Sequence, residues 1–216
     1  MRQFEGQLLF SSGDLTGFIA CRHSTTLDLR ALTEKLKTAE DSEQLRLVQN
    51  AGITHEKAYL ERLKSQGLTV AEIADSGDLR GRALATFNAM EAQTDVIYQG
   101  VLLAPPWHGY ADFLLKTTTP SNLGAWSYEA ADTKLATRAK PSHVLQLCVY
   151  SDLLAKLQGK TPETMMVALG DQTVDIHKAE DFIHYFYSAQ ARFEAFVRRP
   201  NSTEAHLCPH CTLCKW

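Results

Sequence analysis

The sequence predicts an α/β protein, a mixed central sheet flanked by helices with a helical elaboration at the N-terminus. Three observations point that way. Three β-rich stretches follow one another between Asp95 and Leu135. An apolar segment of helical length and then a strand pair come after them. Before residue 95, most apolar residues recur at helical rather than strand spacing.

Residues 7–10 read as a short apolar strand or lead-in. Ser11, Ser12 and Asp14 then offer N-cap groups ahead of Leu15, Phe18 and Ile19, and Cys21 falls at the end of that helix. A second helix is predicted over 27–36. A long one covers 42–66 and stops at Gly67. Residues 68–73 alternate like a strand, and 79–92 read as a helix with Leu84, Phe87 and Met90 inward. The three β-stretches are 95–103, 109–116 and 125–135, with turns at Pro105-Pro106 and over 117–122. A helix over 144–157 is stopped by Gly159. Strands over 164–169 and 173–176 flank a Gly170-Asp171 turn, and a last helix over 179–198 ends at Pro200. The expected organisation is a single domain, with a helical part over 1–94, a core over 95–200 and a Cys-rich metal knuckle over 205–216.

The chain has 216 residues, 44% hydrophobic and 22% charged. That composition suits a globular domain and excludes collagen-like, coiled-coil and disordered chains. The net charge of −3 excludes a protein that binds nucleic acid everywhere on its surface, so any such site must be a local patch or cleft. No apolar run reaches membrane-spanning length and the N-terminus lacks a signal-peptide core, so a cytoplasmic protein is expected.

The chemistry concentrates in the middle strands. Asp112 lies inside an apolar β-run, and Asp132-Thr133-Lys134 lies in the next one. Asp132 and Lys134 are two residues apart and share a strand face. If the two strands are neighbours, two carboxylates and an ammonium converge. Burying them is costly unless something pairs them. A hard divalent cation such as Mg²⁺ would do so. A lone Asp-x-Lys is common, and a lone strand Asp is usually a turn or edge residue. Glu129, three before Asp132, points to the opposite face and is not expected as a ligand.

Gly109-x-x-Asp112, then Asp132-x-Lys134, then Gln146-x-x-x-Tyr150 on a helix resembles the RecB-like branch of the PD-(D/E)xK nuclease superfamily. Gln146 and Tyr150, four apart, share one helix face. The likeness runs over nearly the whole chain and is close around 126–136 and Lys140-Pro141. It implies a restriction-endonuclease-like core and a metal-dependent deoxyribonuclease. Asp112, Asp132 and His55 would hold one or two Mg²⁺ or Mn²⁺ ions, with the Thr133 carbonyl as a further ligand. Lys134, Gln146 and Tyr150 would complete the catalytic group. Glu56, beside His55, faces elsewhere on the helix and ranks below it. The resemblance also implies a DNA substrate, with single strands and exonuclease-like action preferred, in repair, recombination or defence. It leaves open a helicase or further nuclease domain as partner, in the same or another chain. The alternative is a non-catalytic binding or assembly module of a larger helicase–nuclease.

Cys208, Cys211 and Cys214 form a C-x₂-C-x₂-C run, and Cys21 makes a fourth thiolate. Four thiolates hold a [4Fe–4S] cluster or a tetrahedral Zn²⁺. One early and three late cysteines resemble the iron–sulfur RecB-like nucleases, including CRISPR-associated ones, and imply a cluster that pins the chain ends together. The spacing is tighter than in those relatives. His206 or His210 replacing a thiolate would give a zinc site, and free thiols are the metal-free reading. Cys148, inside an apolar helix, reads as a core residue.

Overall fold

The structure is a computed structural model describing residues 1–40, 42–200 and 202–216. A hairpin, β1 (Arg2–Phe4) and β2 (Gln7–Leu9), precedes α1 (Ser12–Ala20), α2 (Arg22–Arg30) and α3 (Glu43–Ser65). Then come β3 (Val70–Glu72), α4 (Leu79–Glu91), β4 (Val96–Ala104), β5 (Trp107–Thr117) and β6 (Ser127–Lys134). The chain continues through α5 (Pro141–Gln158), β7 (Thr164–Leu169), β8 (Val174–Lys178), α6 (Glu180–Arg198) and a 3-10 turn (Pro209–Leu213).

Strands β3 to β8 form one mixed sheet in chain order, with β3–β4 and β6–β7 parallel and the other pairs antiparallel. A parallel neighbour needs a crossover, and α5 is the crossover from β6 to β7. One sheet face carries Leu102, Leu114, Tyr128 and Ala130 against Leu147, Leu153 and Leu154 of α5. The other packs Phe113, Ala131 and Ala168 against Tyr59, Leu60 and Leu63 of α3. Each fully buried Leu or Phe contributes roughly 1.5–3 kcal/mol. Helices α1 and α6 stack on the outer side of α5.

Local chemistry explains the element limits. Ser11 and Asp14 form the capping box of α1. Ser42 and Asp78 cap α3 and α4. Pro141 opens α5, and Gly159 closes it in the left-handed conformation at φ 66°.

Four expectations need correction. The second helix runs over Arg22–Arg30 rather than 27–36, because it begins directly after the extended Cys21. Strand β1 was not expected; it exists as the partner of β2. Leu84 is 59% exposed, since the inward positions of α4 are Leu79, Thr86 and Met90. Residue 94 is no boundary, because β3 joins the central sheet beside β4. No helix among the described residues is long and apolar enough to cross a membrane.

Candidate active site

The β5–β6 ladder ends at Phe113↔Ala131. The next residues, Asp112 and Asp132, stand where the two strands part. Asp112 Oδ2 accepts from both the backbone N–H and the hydroxyl of Thr133, each at 3.0 Å. Asp132 has no exposed surface. Its Oδ1 accepts from Gln146 Nε2 at 3.1 Å, and its Oδ2 meets the Lys134 ammonium in a close ion pair. That oxygen has no hydrogen bond of regular geometry besides this contact.

The electrostatics follow from this crowding. Burial, then repulsion by Asp132, pushes the Asp112 carboxyl up to about 7. Burial also raises Asp132, opposed by Lys134 and its hydrogen bonds and helped by the charge of Glu56. Two acids this close share a proton. The Lys134 ammonium is the cation that neutralises Asp132.

Helix α5 supplies the second layer. Gln146 Nε2 also lies 2.8 Å from the Tyr150 hydroxyl, and burial raises that phenol. The Tyr150 side chain reaches Ser12 at the start of α1. One edge of its ring abuts Gly109, where an added Cβ would sit 2.7 Å from two ring carbons. The far end of α5 is pinned by buried Gln158, whose amide bonds both backbone groups of Tyr128 at 2.8 and 3.0 Å. Tyr128 to Asp132 is about 13 Å of strand, and Gln158 to Gln146 about 18 Å of helix in the same direction. The difference of about 5 Å is within reach of the Gln146 side chain, which meets Asp132.

Of the residues expected at this site, the structure brings Asp112, Asp132, Thr133, Lys134, Gln146 and Tyr150 together. His55 is not among them. Its Nε2–H donates to the Ala168 carbonyl at 3.3 Å, and it lines a separate pocket with Arg62 and Gln172. That contact commits Nε2 as a donor and leaves Nδ1 as the ring nitrogen able to meet a metal. Glu56, ranked below it, lines an open groove of ≈ 870 Å³ with Asp112, Thr133 and Lys134. Lys140 and His143 form another part of the groove wall, and burial lowers His143 to about 4. Glu129 lies apart, accepting from the N–H groups of Glu163 and Thr164.

Gln99 was missed altogether. It sits in β4 between Tyr98, paired with Phe113, and Gly100, paired with Ala111, and so lies opposite Asp112. Its φ is 55°, a left-handed backbone inside a strand, and its amide donates to Glu56 in a short contact. Strain of order 1–3 kcal/mol is held there by the surrounding sheet. A Gln-Gly step interrupting an apolar strand was the available signal.

At the chain ends, Cys208 and Cys211 approach to 3.7 Å between sulfurs, and the Cys208 N–H donates to Cys211 Sγ at 3.3 Å. Cys208 lies 4.0 Å from the Ala20 carbonyl and feels the charge of Cys21. Lys215 and Trp216 anchor the tail to Asp28 of α2 at 2.7 and 3.1 Å. Cys148 is buried in α5, as expected for a core residue. Among the described residues, no three His, Cys, Asp or Glu side chains converge as a ready metal cage.

Compared with protein-family models and with curated proteins, the chain matches none.

Proposed function

We propose that this chain is a metal-dependent nuclease of the RecB-like type, with a restriction-endonuclease-like core, that hydrolyses phosphodiester bonds of DNA in the cytoplasm. One observation carries the reading. Asp112 and Asp132 meet at the fork of two strands, with the Lys134 ammonium on one of them and Gln146 braced by Tyr150 behind it. The sheet keeps acids so close that burial and repulsion hold them above the usual carboxylate range. Such a pair, with one buried oxygen lacking a regular hydrogen bond, suits a divalent cation.

Asp112 and Asp132 would hold Mg²⁺ or Mn²⁺, with Glu56 as the further carboxylate at the groove. When bound, the ion supplies a polarised phosphodiester and a more acidic water. The chain's own groups do the rest. Lys134 Nζ, freed from Asp132, stabilises negative charge on the phosphate oxygens. Gln146 Nε2 fixes the orientation of Asp132, and Tyr150 fixes Gln146. Lys140 on the groove wall binds a neighbouring phosphate. Single-stranded DNA is the favoured substrate, with a helicase or further nuclease domain as a fitting partner.

A second centre belongs to the same reading. Cys21, Cys208, Cys211 and Cys214 would hold a [4Fe–4S] cluster or a Zn²⁺ ion that ties the C-terminal turn to α1. The 3.7 Å between Cys208 and Cys211 sulfurs is close to the ~3.8 Å edge of a tetrahedron with metal–sulfur bonds of about 2.3 Å. A four-iron cluster instead takes one thiolate per iron and would move these two apart.

The test is incubation of the purified chain with labelled single- and double-stranded DNA in Mn²⁺, Mg²⁺ or EDTA. Cleavage that requires metal and vanishes in Lys134→Ala supports the reading. Equal cleavage by wild type and Lys134→Ala, or none under any condition, rejects it.

A further inference from the structure

A basic pocket stands apart from the carboxylates. Arg22 at the start of α2, with Arg192 and Arg199 at the end of α6, lines a cavity of ≈ 350 Å³ floored by Phe18 and Phe196. Four of the eleven arginines are neutralised by carboxylates. Arg30 pairs with Glu34, Arg80 with Glu5, Arg82 with Asp75 and Arg198 with Glu194. Arg22, Arg192 and Arg199 have no carboxylate within ion-pair distance among the described residues. Arg22 lies over the Phe18 ring at 5.5 Å, and Arg192 Nε reaches only the Ser188 carbonyl, at 3.4 Å. Three like charges converging on one cavity repel each other unless an anion joins them. The chain as a whole is negative, so this is no part of a general basic surface.

We propose that Arg22, Arg192 and Arg199 form a phosphate site that holds the nucleic-acid backbone away from the point of cleavage. Guanidinium groups present paired N–H donors matched to phosphate oxygens, and they are always charged. The geometry sets a distance. Helix α1 starts at Ser12, which touches Tyr150 of the candidate active site, and ends just before Arg22. Nine helical residues span about 13 Å, so Arg22 lies on the order of 15 Å from the Tyr150 brace behind the carboxylates. Duplex stacking spaces phosphates about 3.4 Å apart along the axis and an extended single strand spaces them wider, so the span is at most about four nucleotides. The site is thus an anchor that rewards long strands and ignores short ones. This deepens the nuclease reading by adding a length preference for the substrate.

The test measures binding in EDTA, so it does not depend on cleavage. Labelled single strands of about 2 and about 20 nucleotides are titrated against the full chain and against Arg22→Gln/Arg192→Gln/Arg199→Gln. The triple variant should bind the long strand about 10–100-fold more weakly, with a salt slope lower by about 2. The short strand should bind alike to both. The triple Lys variant should restore the salt slope, because charge rather than packing is at work. If the Gln variant loses its structure by circular dichroism, Arg199→Gln alone carries the comparison, with a slope lower by about 0.7. Unchanged long-strand binding and slope in a folded variant overturn the proposal. So does a variant that loses only stabilisation by inorganic phosphate, which would assign the pocket to a free anion. If cleavage is absent in every metal while the binding loss appears, the nuclease reading fails and the anchor stands.

Discussion

The two ends of α1 stand beside two differently built centres. At its start, Ser12 touches Tyr150 and the carboxylate site behind it. At its end, Cys21 faces the C-terminal cysteine turn. The first centre is made by the sheet. Asp132 is fully enclosed, and the groups acting on it come from β5, β6, α3 and α5. The second is made by a tail. Cys211 is exposed, and the turn is held by a few hydrogen bonds to α1 and α2. The difference teaches that a sheet can hold two acids together at the cost of a raised carboxyl, whereas the thiols of a tail are brought together by local turn contacts alone.

The sharpest way to break this contrast is Asp132→Asn. It keeps the shape and removes the charge, so metal-dependent cleavage should fall by about 10³-fold while the melting temperature holds or rises. A parallel assay of cleavage and thermal melting reads both. A drop in melting temperature with activity retained would mean that the charge serves folding.

Next comes the choice between two adjacent helix residues. Glu56→Gln should weaken Mn²⁺ binding by about 10–100-fold, and His55→Ala by less than about threefold. Titration calorimetry measures each. The reverse order would show that the Ala168 contact of His55 gives way when metal enters.

At the other centre, Cys211→Ala should lower the folded yield and open α2 amides to hydrogen exchange. Mn²⁺ affinity at the carboxylates should change less than about twofold. A visible absorbance band lost in the variant identifies a cluster; a colourless protein losing one zinc identifies the single ion.

The smallest effect is in pH. The folded Asp112 carboxyl keeps its proton to about 7 against an ordinary 3.8. Folding therefore takes up a proton between those values, and stability of the metal-free protein should fall as pH rises from about 4 to 7, then level off. Denaturant melts across that window should show the slope, and Asp132→Asn should reduce but not abolish it, since burial is the larger cause and repulsion the smaller.

Much of this was legible in the sequence for a physical reason. The strand cores and α5 are so apolar that each has one stable placement, and Asp112, Asp132 and Lys134 stand out against that background. Glu56 was harder to read. It and His55 are neighbours on a long helix that leaves Leu47, Val48 and Ile53 exposed. With apolar residues on both sides, periodicity does not say which face meets the sheet. Gln99 was hidden because a left-handed residue in a strand is usually marked by Gly or Asn, and here the long-range pairing of β4 imposes it on a glutamine. The Arg22, Arg192 and Arg199 pocket joins residues some 170 positions apart, and only the packing of α1 on α6 unites them.

The close approach of the Tyr150 ring edge to Gly109 makes two distant positions into one heritable unit. The ring occupies the volume that any side chain at 109 would claim, so even alanine there would tip the phenol and swing Gln146 off its carboxylate. Conversely, a chain with a small residue at 150 would tolerate bulk at 109 but would have lost its brace. A redesigned version of this protein has to rewrite both letters in the same step or neither.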